Sequence, residues 1–411
     1  MRKTIIGSGI YNLDEILVRD YPAWPLHRPF TDRPVLEEVG GTCGNVMCIL
    51  SWMGWDARPQ ARFDDSPEGL KLTADLARYG CDLRHVSNAP DGGTTLLRCV
   101  HKKDADGAHR LACRAGSPGG SRFPRRRFLR VRDEAPAFLE ALDGVPDVYF
   151  FDDPAAGHRA VARALRERGA LVWYEPSKVE GRPGLEAVAV SDIVKFSAEN
   201  IPDASFTDAF ADKLFIQTLG TEGLRFRLRG GPWTIVSPVY AGKVVDTDGA
   251  GDWTTAAFIN ALGEEDRLRV TSLDEGTLAR LLRRVQRAAS HSVGFLSSKG
   301  LIAALATPSV VDHTDSPWAV TLVRDVLGKA ERGLLAEIGP DIHIVDCDLD
   351  RISLSAGEPD EGPGDFSVRT WDLRPSSARW TLFRTVADGD GAFHGEEVLE
   401  GTTRFKNKQN T

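Results

Sequence analysis

The chain has 411 residues, 42% hydrophobic and 27% charged, with a formal net charge of −8. That length can bury a large core and suggests two or three domains, while no apolar run approaches the roughly 18 residues that a membrane span needs. From Pro308 onward 11 Lys+Arg face 19 Asp+Glu, whereas the first 307 residues carry 40 of each, so the acidity belongs to the tail and no nucleic-acid footprint is expected.

In chain order, Met1–Gly7 is apolar over too short a stretch for a signal peptide and reads as a first buried strand. The six cysteines form no C-x-x-C pair and the nine histidines no ligand spacing, so no structural metal is expected. Scattered thiols without a secretion signal read as a cytoplasmic chain. Thr94–Val100 and His109–Cys113 read as a hairpin around residues 102–107. Joined by Glu15–Arg19, it would form a small β flap. Six arginines between Arg122 and Arg132 form either a grip for an anionic ligand or a solvated basic face. Tyr11, Trp24 and Phe30 read as packing residues.

Apolar β-type runs follow at Val148–Phe151, Ala170–Tyr174, Asp192–Lys195 and Leu214–Thr218. Helical patterns at His158–Glu167 and Leu278–Ala289 lie around them. This alternation predicts α/β architecture with a mainly parallel sheet. Gly242–Val245 reads as a strand, Asp246–Asp252 as a tight glycine turn, and Trp253–Phe258 as the start of a helix. Past Thr307 the texture changes. A helix is predicted over Trp318–Ile338, capped by Asp315 or Ser316 with Pro317 at its start. Short strands at Ile342–Val345 and Trp380–Val386 are separated by loops, Ala356–Asp365 among them. Residues 308–411 therefore read as a small appended α+β region. Trp318, Trp371 and Trp380 are candidate anchors for a partner there, with core packing the plainer reading.

The turn carries the chemistry. A helix N-terminus presents unpaired N–H groups and partial positive charge, which hold phosphate or a developing anion. Asp252 would stand beside that spot as a base, the minimum apparatus for moving a phosphoryl group onto a hydroxyl. Upstream, Asn12, Asp14 and Asn45 supply both acceptors and donors suited to a polyol.

Three strings in one order resemble the ribokinase-like sugar and nucleoside kinases, the phosphofructokinase-B family. They are Gly9–Asp14, Gly40-Gly41-Thr-Cys-Gly-Asn45 and Asp246–Asp252. Thr218-Leu-Gly220-Thr-Glu-Gly223 looks like the family's nucleotide-binding turn. The match covers about residues 3–306. The resemblance implies a three-layer α/β sandwich with a mainly parallel central sheet and a small β lid, from about 12–22 and 94–115, in a domain of residues 1–307. It implies ATP as phosphoryl donor and Mg2+ between the phosphates, and leaves open a monovalent cation such as K+. Carried over, Asp252 is the base and Gly249, Ala250 and Gly251 the anion hole. Asn12, Asp14, Gly40, Gly41 and Asn45 hold a sugar or nucleoside. Ser197, Asn200, Thr218, Gly220, Gly223, Asp246 and Thr247 would serve the nucleotide, and Glu199 the metal through water. The expected partner is that small molecule, with a homodimer through the lid or the C-terminal region as a further expectation. The chain departs from the family where Asn-x-x-Glu is usual: Ser197 and Asn200 occupy the motif positions and Glu199 stands one step early. Trp253 also replaces a smaller residue. These departures keep a second reading in play, a binding or regulatory protein on a kinase fold.

Overall fold

The computed structural model describes residues 2–19, 36–90, 92–103, 109–116, 134–239, 244–306, 309–312, 317–330, 334, 341–348, 350–355, 366–374, 377–387 and 393–405. Two units divide the chain, Met1–Gly300 and Leu301–Thr411.

The first unit begins with β1 (Thr4–Ser8), β2 (Asn12–Arg19), β3 (Leu36–Gly40), α1 (Thr42–Trp52), β4 (Asp56–Phe63), α2 (Pro67–Arg78) and β5 (Val86–Asn88). It continues through β6 (Thr95–Lys103), β7 (His109–Gly116), α3 (Ala135–Glu140), β8 (Val148–Phe151), α4 (Ala156–Glu167), β9 (Leu171–Tyr174), α5 (Gly181–Val190) and β10 (Ile193–Ser197). It closes with β11 (Leu214–Thr218), β12 (Leu224–Leu228), β13 (Trp233–Val236), α6 (Ala250–Glu264) and α7 (Glu275–Ser292). Among the described residues a nine-stranded sheet runs β13-β12-β11-β10-β9-β8-β1-β4-β5. Its strands from β11 to β5 are parallel, and β12 and β13 add an antiparallel edge.

The reason lies in the strand sequences. Val148–Phe151 and Leu171–Tyr174 are buried at every position, so neither face can be left to water. Helices must then cover both faces, as parallel sheets require. Tyr149, Phe151 and Tyr174 stack along one of them with centroids 5.8 and 4.7 Å apart. Helix starts are fixed locally: Ser66 caps α2 by accepting from Gly69 N at 3.1 Å, and Asp274 caps α7 by accepting from Thr277 N at 2.8 Å.

A second, four-stranded sheet runs β3-β2-β6-β7. The expected hairpin is β6 with β7, antiparallel, and β2 pairs with β6 in parallel. β3 was not anticipated; it pairs antiparallel with β2, setting Asn12 opposite Gly40 and Asp14 opposite Glu38. The Arg122–Arg132 cluster, Trp24 and Phe30 lie outside the described residues, as do lid positions 20–22 and 104–108.

One expectation in this unit fails. Val244 and Val245 are not strand, and Gly242 and Lys243 lie outside the described residues. The amides of Val245 and Asp246 both donate to Val293 O, at 2.7 and 3.1 Å, so the segment is held by the end of α7 rather than by a sheet neighbour.

The second unit follows α8 (Gly300–Ala306), which spans the division, with β14 (Ser309–Asp312), α9 (Pro317–Lys329), β15 (Asp341–Cys347), β16 (Arg351–Ser355), β17 (Phe366–Arg374), β18 (Ser377–Ala387) and β19 (Phe393–Arg404). The strands form one sheet in sequence order, β14–β15 parallel and the rest antiparallel. α9 stops at Lys329, short of the expected Ile338. Gly328 in its last turn weakens the helix, and Ala330 N bonds both Val326 O and Leu327 O at the close. Asp315, Ser316 and the loop 356–365 lie outside the described residues. Ile344, Ile352, Val368, Trp380 and Leu382 are buried with Leu322 and Val326 of α9. Trp371 is 63% exposed, against the packing expectation, and its indole N–H donates to Thr381 Oγ1 at 2.7 Å. No described helix is long and apolar enough to cross a membrane.

Candidate active site

In a parallel sheet the C-terminal strand ends open toward one edge, where ligand sites form. Here Gly9, Asp152 and Glu175 directly follow β1, β8 and β9, and Ser197 closes β10. Asp152 is buried and uses both carboxylate oxygens: Oδ1 accepts from Ile10 N at 2.8 Å and Oδ2 from Cys43 N at 3.0 Å. It thereby ties the turn before β2 to the N-terminus of α1. Burial pushes its carboxyl well above the ordinary range. A Cβ on Gly9 would sit 1.9 Å from Asp152 Oδ1, so only glycine admits this contact.

The residues expected on the acceptor side come together on this frame. Asn12 and Asp14 share one face of β2 because strand side chains alternate. Asn12 Nδ2 donates to Asp14 Oδ1 at 3.4 Å. A Cβ on Gly40 would lie 1.6 Å from Asp14 Oδ2, which makes glycine obligatory there. Gly41 precedes α1 with φ 79°, a left-handed conformation that favours glycine. Asn45, one turn into α1, donates from Nδ2 to Asp252 Oδ2 at 2.6 Å.

Asp252 sits in the first turn of α6, buried to 8% exposure. Gly249 before it has φ 80°, and a Cβ there would meet Ser298 Cβ at 2.2 Å. The first α-type bond of α6 runs from Trp253 N to Gly249 O at 2.9 Å, so the Ala250 and Gly251 amides precede the hydrogen-bonded ladder. Asp246 braces the turn from below: Oδ1 accepts from Asp248 N and Oδ2 from Ser297 N, both at 2.8 Å. Thr247 is exposed. Burial, then the Glu175 carboxylate, push the Asp252 carboxyl up to about 7, while the Asn45 hydrogen bond and Lys195 pull it down. Burial likewise raises Asp14 to about 8, against the pull of Lys299.

Several charged neighbours escaped the sequence reading. Lys195 is buried in β10 and pairs with Glu175, whose other oxygen accepts from Thr255 Oγ1 at 2.6 Å. A Cβ built on Gly251 would lie 3.6 Å from Lys195 Nζ, so this ammonium stands beside the helix start. A lysine inside an apolar strand was the available signal, because such a charge is buried only when paired. Lys299, 1% exposed, contacts Val39 O, Asn45 Oδ1 and Ser298 Oγ, and pairs with Glu38 at 3.3 Å.

The remaining predicted residues form a second group at the ends of β10 and β11. Ala198 N donates to Thr218 O at 2.9 Å, and Ser197 Oγ accepts from Asn200 N at 3.2 Å. Gly220 and Gly223 adopt φ 60° and 90° in the turn that follows, closed by Leu219 N donating to Gly223 O at 2.8 Å. Glu199 and Asn200 are exposed. Among the described residues no three His, Cys, Asp or Glu are grouped so as to hold a metal ion.

Residues 159–302 match the family model described as pfkB family carbohydrate kinase. A probable fructokinase-5 of Arabidopsis thaliana is 26% identical over 300 residues, which cover 67% of this chain and 87% of that protein. The Arabidopsis thaliana ribokinase solved with ribose and ATP superposes with TM-score 0.52 at 18% identity, over 72% of this chain and 95% of that one. Giardia lamblia ribokinase gives TM-score 0.54 at 16% identity, over 72% and 96%. At such identities the structural likeness speaks to fold alone. The ribokinase-like architecture expected from the sequence is therefore the one adopted.

Proposed function

We propose that this chain, whose residues 159–302 match the pfkB family carbohydrate kinase model, transfers the γ-phosphoryl group of ATP to a hydroxyl, preferably a hydroxymethyl, of a sugar or nucleoside, with Asp252 as general base. One observation carries the reading. A buried carboxylate with its pKa near 7 stands in the first turn of a helix, beside amides that precede the hydrogen-bonded ladder. A general base works best when its pKa lies near the operating pH.

In the step, the acceptor O–H gives its proton to Asp252 as its oxygen forms a bond to the γ-phosphorus. The bond from that phosphorus to the β,γ-bridging oxygen breaks, and ADP leaves. The amides of Gly249, Ala250 and Gly251 stabilise the charge gathering on the transferred group. Such donors commonly supply about 2.7–4 kcal/mol each. Lys195, beside Gly251, adds positive charge in the same place. Asn12, Asp14, Gly40 and Gly41 line the acceptor side, and Asn45 keeps one amide N–H beyond its bond to Asp252. The turn of Thr218, Gly220 and Gly223, with Ser197 and Asn200, takes the nucleotide.

Mg2+, when bound with ATP, would supply neutralising charge at the phosphates. Glu199, exposed at the end of β10 with no metal-holding group of carboxylates among the described residues, would suit a water-mediated contact. The test is a coupled ADP-release screen over sugars, sugar phosphates and nucleosides, in buffers with and without K+. Turnover on at least one sugar or nucleoside is expected. Calorimetric binding of nucleotide or sugar with no ADP released would replace the enzyme with a binding protein.

A further inference from the structure

The partners of Lys299 converge on one amide. Its ammonium donates to Asn45 Oδ1 at 2.6 Å, and the Ser298 hydroxyl donates to the same oxygen at 2.8 Å. An ammonium can donate but never accept, so the end of the amide that meets it must be oxygen. Asn45 Nδ2 is thereby turned the other way, where it donates to Asp252 Oδ2 at 2.6 Å. The loop holding Lys299 is fixed to the same turn: Trp253 Nε1 donates to Ser298 O at 2.7 Å and Ser297 N to Asp246 Oδ2 at 2.8 Å.

We propose that Lys299 is a positioning residue: by fixing the Asn45 amide it aims Asp252 and leaves the second carboxylate oxygen for the acceptor hydroxyl. The role rests on Asp252 being the base. It also accounts for why so costly a group is buried here. Two acidic residues, Asp14 and Glu38, stand opposite one another on β2 and β3, an arrangement that repels once both are ionised unless a cation sits between them. Burial pulls the Lys299 ammonium down, and Glu38 and Asp14 outweigh it, so the group stays protonated above its ordinary value. Cys48 and Tyr79 also face it. Around Asp252 the charged neighbours are Glu175, Lys195 and Asp248, with Asn45 the group that donates to it.

The test uses the full chain with aspartate carboxyl carbons labelled for NMR, the Asp252 signal being assigned by its loss in Asp252→Asn. Lys299→Met alone would strand Glu38, so the variant is the double substitution Glu38→Gln/Lys299→Met. Without the cation Asn45 is free to turn its oxygen toward Asp252. The carboxyl should then titrate about one to two units above wild type, the worth of a charge-assisted hydrogen bond. Turnover at pH 7 should fall about five- to fiftyfold, as the ionised fraction of Asp252 drops with a rise of one to two units, with the Michaelis constant for ATP unchanged. Glu38→Gln alone keeps the ammonium on Asn45 and should move the titration by less than about half a unit. In the unsubstituted chain the Asn45 side-chain NH2 signals should move with the ionisation of Asp252. An unshifted titration in the double variant, a raised acceptor Michaelis constant with no such shift, or Asn45 signals blind to Asp252 would each overturn the proposal. A wild-type chain that releases no ADP would instead sink the kinase reading, and the titrations would still decide whether Lys299 fixes Asn45.

Discussion

Asp252 shows what burial does to a single carboxylate. Removed from water and set near Glu175, it holds its proton up to about 7, where an exposed aspartate releases it near 3.8. As the proposed base it must be ionised, so kcat/KM is expected to rise with pH through about 7 and to level off above. A profile flat from pH 5 to 8 would remove Asp252 from the proton transfer. Stability carries the opposite sign. The folded chain binds the proton more tightly than the unfolded one, so this residue's contribution is full below about 3.8 and is lost as pH rises through about 7. Asp252→Asn is therefore expected to melt higher than wild type at pH 8, with a smaller difference at pH 5. Denaturation curves at the two pH values check this, and equal melting at both would mean that the carboxyl is not strained.

At the next scale, the start of α6 depends on a glycine rather than on a side chain. Gly249 has φ 80°, and an added Cβ would strike Ser298 at both Cβ, 2.2 Å, and Cα, 2.7 Å. Gly249→Ala is expected to lose at least about 1 kcal/mol from the backbone alone, and more as Ser298 is displaced. Its ADP release should drop at least tenfold, and wild-type turnover in this variant would show that the turn tolerates movement. This turn was legible in the sequence because each of its needs, glycines and a carboxylate at a helix start, falls within seven residues. The strands β8 to β11 were legible for the same reason, as continuous apolar runs. β3 was not, because Leu36-Glu-Glu-Val-Gly looks polar until Lys299, more than 250 positions away, arrives to hold Glu38. Glu175 was hidden likewise, since only its partner Lys195, a lysine inside an apolar strand, carried a signal. Val244 and Val245 misled, since β-branched residues mark a strand only where a neighbouring strand accepts their amides.

Over the whole chain, two cores form in two units, and each can be weakened by itself. In the second, Trp380 is 1% exposed, its indole N–H donates to Thr403 Oγ1 at 2.9 Å, and Lys329 stands 5.5 Å from its ring centroid. Trp380→Ala is expected to cost that unit about 3–5 kcal/mol, seen as a lower urea midpoint or faster proteolysis beyond residue 301. A change under about 1 kcal/mol would mean that the core of this unit lies elsewhere. The proposed chemistry lies in the first unit and reduces to a carboxylate meeting phosphate and alcohol at one helix start. Asp252→Asn measures it most directly, in an ADP-release assay on the full chain with its best acceptor. The expected result is a variant that folds, binds ATP as wild type does, and turns over about 10²–10⁴-fold more slowly. Turnover equal to wild type would contradict the account.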